Sequence, residues 1–283
     1  MKTLAIDIGG TKFAVALFDG DQMVRREAQS TDREGGRAWL VPQLDAIIAQ
    51  WKGESEKFDR CGISFGGPVN FETQEVHQST HVGGWEGFPL TRHIAEVAQA
   101  PVVMDNDANA GALGEYMFGA GKGCSPLFYM TLSTGIGGGI LLDGKIMRGA
   151  DGWAGEIGHH ILVPNGPDCL CGSKGCFERM CCGLWLERDY GKTAKELLAD
   201  PAFVERYVVL LAQGLKTCIM VLNPARIVIG GGMSKAGDKL FVPLRKELAL
   251  QITAWSGARQ DVQPTPLGDD SGLYGALAIS RIK

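Results

Sequence analysis

The stretch TLAIDIGGTKFAVALF, from Thr3 to Phe18, carries most of the information about the fold. Thr3–Ile8 is a short apolar run that ends at an aspartate and two glycines. Phe13–Phe18 resumes with alternation, and Asp19-Gly20-Asp21 then turns the chain again. Strand, glycine turn and strand predict a β-hairpin. The Gly-x4-Gly-Lys-Ser/Thr phosphate loop is absent, and so is Gly-x-Gly-x-x-Gly, which argues against a dinucleotide fold. A third strand is predicted over Met23–Gln29.

Working outward, Leu40, Leu44, Ile47, Ile48 and Trp51 recur at helical spacing within Trp39–Trp51. Cys61–Phe65 and Val102–Met104 read as buried strands with a helix, Leu90–Gln99, between them, and a further helix covers Ala108–Phe118. At Leu127–Leu132 the opening pattern restarts: strand, glycine turn, then a strand at Ile140–Leu142. This weak internal duplication predicts an α/β protein with one similar core in each of two lobes. The segment from Gly149 to Cys182 reads as mostly loop. Beyond it come a helix at Ala202–Leu222, a strand at Arg226–Ile229, and helices near Lys239–Leu248 and Ser271–Ile282. The expected division is an N-terminal lobe, 1–107, closed by a returning helix, 270–283, and a C-terminal lobe, 108–269.

Bulk properties narrow the class. Over 283 residues the chain is 45% hydrophobic, enough to bury a sizeable core, and its net charge is only −4 with no basic cluster. Nucleic acid and anionic membrane are therefore poor partners. No apolar run approaches the roughly 20 residues a spanning helix needs. A charged Asp7 near the N-terminus leaves no room for a secretory apolar region, so a cytoplasmic location is expected. The 40 glycines exceed the roughly 20 expected from an average share of about 7%. They punctuate the ends of apolar runs at Gly9-Gly10, Gly66-Gly67, Gly137-Gly138-Gly139 and Gly230-Gly231-Gly232. Such positions serve ordinary tight turns or let backbone amides approach a ligand.

The side chains beside these glycines suggest phosphate chemistry. In Asp7-Ile8-Gly9-Gly10-Thr11-Lys12, amides and the Thr11 hydroxyl can donate to phosphate oxygens, and Asp7 can hold Mg²⁺ directly or through water. The plainer reading is a hairpin turn with a surface lysine. Ser133-Thr134-Gly135-Ile136-Gly137-Gly138-Gly139 reads as a second such loop for the other side of a triphosphate. Gly231 sits in a third turn, whose bare backbone leaves room for a flat adenine or simply links strand to helix. Val102–Asp107 ends in Asp105-Asn106-Asp107 ahead of a helix, and α/β sheets gather ligands at the carboxyl ends of strands. A carboxylate there can accept the proton of a hydroxyl as its bond to phosphorus forms. Asn106 can orient such a substrate, and either Asn106 or Asp107 can instead cap the helix.

His159 is followed after nine residues by Cys169, after one more by Cys171 and after four more by Cys176. Three thiolates and an imidazole make the closed tetrahedral set of structural zinc, with buried free cysteines or a disulfide as the alternatives. Cys61, Cys124, Cys181, Cys182 and Cys218 read as packing residues. Glu156 and Glu178 lie close in sequence to this set, so an ion would fix two carboxylates and an imidazole in one region. Such carboxylates suit a polyhydroxyl ligand, or else they are isolated surface glutamates. His77 and His81 read as loop residues, with His81 able to edge a pocket.

Taken together, AIDIGGTK (Ala5–Lys12), GGPV (Gly66–Val69), DNDANAGALGE (Asp105–Glu115), STGIGGG (Ser133–Gly139), GWAGEIGHH (Gly152–His160), CLCGSKGCFE (Cys169–Glu178) and IGGGMS (Ile229–Ser234) resemble the ROK family of repressors and sugar kinases. The resemblance covers nearly the whole chain. It implies a two-lobed actin/hexokinase-like (ribonuclease H-like) fold that binds ATP-Mg²⁺ and a sugar, with Asp107 as catalytic base. It also implies sugar contacts from Gly66, Asn106, Glu156, His159 and Glu178, phosphate contacts near Thr11, Lys12, Thr134 and Gly135, and an adenosine contact near Gly231. A homodimer is the expected assembly. One departure stands out: many glucose-type members carry Asn-Leu-Gly-Trp after the Gly-Gly-Pro block, where this chain has His81-Val82-Gly83-Gly84-Trp85. Glucose is the first expected substrate. N-acetylmannosamine or N-acetylglucosamine comes next, then fructose or mannose.

Other classes fit less well. A repressor of this family would need a helix-turn-helix ahead of Asp7, where only six residues stand. A sugar sensor that had lost catalysis would be expected to lack Asp107 or a phosphate loop. A zinc redox protein would be expected to carry a Cys-x-x-Cys pair.

Overall fold

The structure, a computed structural model, describes residues 1–77, 79 and 82–282. His81 lies outside the described residues. The chain forms two compact units: Met1–Gly114 with Gly149–Trp153 and Asp270–Lys283, and Glu115–Arg148 with Ala154–Asp269.

In the first unit, β1 (Lys2–Ile8), β2 (Lys12–Asp19) and β3 (Gln22–Ser30) form the antiparallel meander expected from the opening hairpin. α1 (Gly36–Gly53) presents Leu40, Leu44, Ile47, Ile48 and Trp51 to the core, the set its spacing predicted. β4 (Arg60–Phe65) then adds parallel to β1. A two-stranded ribbon, β5 (Val69–Asn70) with β6 (Glu75–Val76), precedes α2 (Leu90–Ala98). β7 (Val102–Asn106) completes a sheet of order β3-β2-β1-β4-β7, and α3 (Asp107–Phe118) leaves from its end.

The second unit repeats this plan. β8 (Leu127–Leu132), β9 (Ile136–Leu142) and β10 (Lys145–Ile146) form the meander. α4 (Phe177–Cys181), α5 (Gly183–Tyr190), α6 (Ala194–Leu197) and α7 (Pro201–Leu222) lead to β11 (Arg226–Gly230). α8 (Asp238–Gln251) and β12 (Val262–Pro264) close a sheet of order β10-β9-β8-β11-β12. Both sheets thus place three antiparallel strands beside two parallel ones, the ribonuclease H-like order that the resemblance implies. Each has its own apolar core, one centred on Leu4, Ile6, Val15 and Ile63, the other on Phe128, Met130, Leu211 and Ile229. No helix among the described residues is long and apolar enough to cross a membrane.

One expectation is corrected. The glycine-rich turn after β8 spans only Ser133–Gly135, because β9 already begins at Ile136, and Gly137, Gly138 and Gly139 pair with Thr131, Met130 and Tyr129. The segment 149–182 is mostly loop as expected, with only α4 and a 3-10 turn at Ile157–His159 within it. Cys61, Cys181, Cys182 and Cys218 are buried as expected of packing residues, whereas Cys124 is only partly so.

The chain returns to the first unit through α9 (Ser271–Ile279), which lies on β1 and β4. Contact there is backbone to backbone: a Cβ added at Gly62 would run into the Ala276 carbonyl. Gly62→Ala is therefore expected to push α9 off the sheet and cost about 3 kcal/mol, at the upper end of overpacking penalties. Urea unfolding measures this, and a midpoint equal to wild type would show that the helix is not seated so closely.

Candidate functional site

Three parallel strands of the first unit end level with one another. Ile8 pairs with Phe65, and Phe65 with Asn106, so Gly9, Gly66 and Asp107 leave the sheet at the same edge. This is the carboxyl edge at which α/β sheets gather ligands. The Gly66 amide donates to the Ile8 carbonyl at 2.8 Å, and a Cβ at Gly66 would meet the same oxygen at 3.0 Å. The Gly9 turn and the Gly66-Gly67 block are thereby held side by side.

The turn after β1 is tied down by its own neighbours. Gly9 N–H donates to the Lys12 carbonyl at 3.0 Å, and the Thr31 amide and hydroxyl bind the Thr11 and Gly9 carbonyls, each at 3.0 Å. Arg33 Nε donates to the Gly10 carbonyl at 2.6 Å, while Thr11 itself is exposed. Asp7 accepts from Ser64 Oγ at 2.8 Å, and a side chain at Gly272 would collide with its carboxylate. Burial pushes the Asp7 carboxyl above its ordinary range, partly offset by the Ser64 hydrogen bond and the Lys12 charge. Ser64 belongs to none of the motifs. Its role is visible only because the β1–β4 register sets it opposite Asp7.

At the β7–α3 junction the helix-capping alternative holds for Asn106. Its Oδ1 accepts from the amides of Ala108 (2.9 Å) and Asn109 (3.2 Å), and its Nδ2 donates to the Gly67 carbonyl at 3.2 Å. An asparagine amide carries a second N–H, so capping does not exhaust its donors. With Asn106 as the cap, Asp107 becomes the first residue of α3, where the helix amides favour a negative side chain. Asp105 points to the other face and is buried, accepting from Asn109 Nδ2 at 3.0 Å.

In the second unit the turn Ser133–Gly135 closes on itself through Ser133 N–H to the Gly135 carbonyl, at 3.0 Å. The first amides of α5 anchor it, with Gly183 donating to Ser133 at 2.7 Å and Leu184 to Thr134 at 3.3 Å. The turn after β11 lies against it: a Cβ at Gly232 would meet Ser133 Oγ at 3.7 Å, and one at Gly231 would overlap Leu132. The two glycine turns, far apart in sequence, are thus neighbours. Gly138 stands in β9 with its amide donated to the Gly155 carbonyl at 2.9 Å. Gly155 takes φ +96°, and any side chain there would strike Gly138. This close approach delivers the next residue, Glu156, to the end of β9.

Glu156, His159 and Glu178 come together around that strand end. Glu156 Oε2 lies 4.0 Å from His159 Nε2, and Glu178 Oε2 accepts from the Ile136 amide at 2.8 Å. Burial raises the Glu156 carboxyl above its ordinary range, with His159 opposing and the Glu178 charge reinforcing the shift. The other imidazole nitrogen, His159 Nδ1, is buried without a hydrogen-bond partner among the described residues. One ligand atom each from His159, Cys169, Cys171 and Cys176 lies within 4.8 Å of the others, a spacing that could hold one metal ion. Burial, reinforced by the neighbouring thiols, pushes the Cys176 thiol up to about 12. A divalent cation at the centre would reverse that by displacing the protons. The orphaned nitrogen and the crowded sulfurs fit such an ion.

Comparison with known proteins gives the same picture over the whole length. The glucokinase of Thermotoga maritima is 32% identical, aligning 99% of this chain with 98% of that protein. The N-acetylmannosamine kinase of Haemophilus influenzae is 29% identical over 98% of this chain and 94% of its own. The solved ROK family glucokinase from Streptomyces griseus, in complex with glucose and AMPPNP, superposes with a TM-score of 0.85 at 28% identity, covering 99% of both chains. These likenesses give the fold as actin/hexokinase-like. The family model described as the ROK family matches residues 3–282. The chain belongs to the ROK family.

Proposed function

We propose that this protein transfers the terminal phosphoryl group of ATP to a hydroxyl of a free hexose, with glucose as the first substrate and glucose 6-phosphate as product. Family and full-length relatives make the chain an ATP-dependent sugar kinase. What supports the mechanism most is the level edge of β1, β4 and β7, with Asp107 beside the Gly66 block and the Gly9–Lys12 turn.

In this reading Asp107 accepts the proton of the sugar hydroxyl as its oxygen attacks the γ-phosphorus and the bond to the β-phosphate oxygen breaks. Gly66, Asn106, Glu156, His159 and Glu178 orient the sugar, the carboxylates accepting from its hydroxyls. The amides of Gly10, Thr11, Thr134 and Gly135 and the hydroxyls of Thr11, Ser133 and Thr134, with Lys12, stabilise the phosphates, Gly9 shapes the first turn through its bond to the Lys12 carbonyl, and Gly231 flanks the adenosine. Asp7 would hold Mg²⁺, which supplies charge neutralisation on the phosphates. Zinc is the ion proposed for the thiol cage, as a structural support. His159 would spend Nδ1 on it and leave Nε2, beside Glu156, for the sugar. Cytoplasmic location and a homodimer complete the proposal.

N-acetylmannosamine is the second reading, favoured by relatives such as the Haemophilus influenzae kinase and by the absence of Asn-Leu-Gly-Trp at His81–Trp85. ADP release measured against glucose, mannose, fructose, N-acetylglucosamine and N-acetylmannosamine decides between them. The expected result is the highest kcat/KM on glucose. Turnover confined to an acetamido sugar would replace glucose, and silence on every sugar would remove the kinase reading.

A further inference from the structure

Arg179 lies one residue after Glu178, on α4, and is buried despite its charge. A buried guanidinium needs several partners at once, because desolvation of the ion is costly. It has them. Nη1 and Nη2 grip the two carboxylate oxygens of Asp189 on α5, at 2.7 and 3.1 Å, a bidentate fork. Nε donates to the Asp168 carbonyl at 3.1 Å, and the guanidinium carbon sits 4.2 Å from the centre of the Trp185 ring. The carbonyl it holds belongs to the peptide that joins Asp168 to Cys169, the first cysteine of the cage.

The rest of the thiol loop is fastened to itself and, through the Leu162 and Val163 amides on the Gly175 carbonyl, to the segment before it. Cys169 N–H donates to Ser173, Gly172 to Cys169 and Gly175 to Pro167, at 2.8 to 3.0 Å. The Asp168–Lys174 ion pair is well exposed on both sides and contributes little. Arg179 is a side chain that ties the start of this loop to the helical layer. The guanidinium is itself paired with Asp189, so what it gives the cage is the position of its first peptide.

We infer that Arg179 is a positioning residue for the metal cage: through Asp189 and Trp185 it holds the Asp168–Cys169 peptide so that the ligand set stays assembled around its ion. The inference rests on the reading of the cage as a zinc site. It links zinc retention to sugar affinity, because the same helix carries Glu178. It leaves the glycine turns proposed for the nucleotide out of the linkage.

The test uses the zinc-loaded full chain and follows metal release to excess chelator by absorbance of a zinc indicator. Arg179→Met is expected to release zinc about tenfold faster and to raise the KM for the sugar about fivefold, with the KM for ATP within twofold of wild type. Arg179→Lys keeps the charge but not the fork and should fall between the two. Asp189→Asn, made on the partner side, should speed release in the same direction, and the double variant should be no worse than Arg179→Met alone. Asp189→Asn and Arg179→Lys also keep the inference testable if Arg179→Met fails to fold. A folded Arg179→Met that releases zinc at the wild-type rate would overturn the inference, even with a lower melting temperature. So would release from the double variant at the product of the two single effects. A wild-type chain that binds no zinc would overturn the inference together with the metal reading, and the sugar panel would still stand as the separate test of kinase activity.

Discussion

Replacing Asp107 with asparagine is expected to lower kcat about 1000-fold while leaving the sugar dissociation constant within a fewfold of wild type. The size follows from general-base catalysis, which contributes on the order of 10²–10⁴ in rate. The variant is clean for a structural reason. The cap of α3 is Asn106, whose Oδ1 accepts the Ala108 and Asn109 amides, so the capping hydrogen bonds remain in the variant. Asparagine preserves the volume and a hydrogen-bonding oxygen but cannot take a proton. Coupled ADP release gives kcat, and calorimetric titration with glucose gives affinity. Near-normal turnover would remove Asp107 as the base and send attention to the other acids of the proposed sugar site.

The second large effect is expected at the thiol cage. Cys171 is exposed, so exchanging it for serine removes a ligand with little loss of packing, unlike the fully buried Cys176. Cys171→Ser should purify with well under one zinc per chain by elemental analysis and raise the sugar KM at least about tenfold. Structural zinc sites in small domains are worth on the order of 10 kcal/mol of folding energy, and this loop has few apolar residues to replace it. Cys124→Ser, a thiol not among the four cage ligands, serves as the control and should keep both zinc and affinity. Full zinc and unchanged KM in Cys171→Ser would break the proposed link between the cage and the sugar carboxylates.

Much of this was legible in the residues before any coordinates. The hairpin at Thr3–Phe18, its echo at Leu127, and the helical spacing of Leu40, Leu44, Ile47 and Ile48 are local patterns, and the observed elements follow them closely. The extent of the second glycine loop was not legible. Glycine signals freedom but does not say how it is used, and Gly137–Gly139 turn out to be strand residues, among which Gly138 lets Gly155 approach. Short helices such as α5 and α6 also escaped notice, since one or two turns show too little periodicity.

Sequence alone determined the chemistry on offer: a carboxylate before a helix, hydroxyls beside glycines, and three thiols with an imidazole at ligand spacing. These are properties of residue type and short-range order, which the chain carries whether or not it is folded. Tertiary structure decided which of them meet. The level ends of β1, β4 and β7, Ser64 against Asp7 and the two glycine turns in contact all join residues distant along the chain. Such meetings depend on strand register and helix seating, which are set by the packing of whole cores, and no local pattern of residues encodes them.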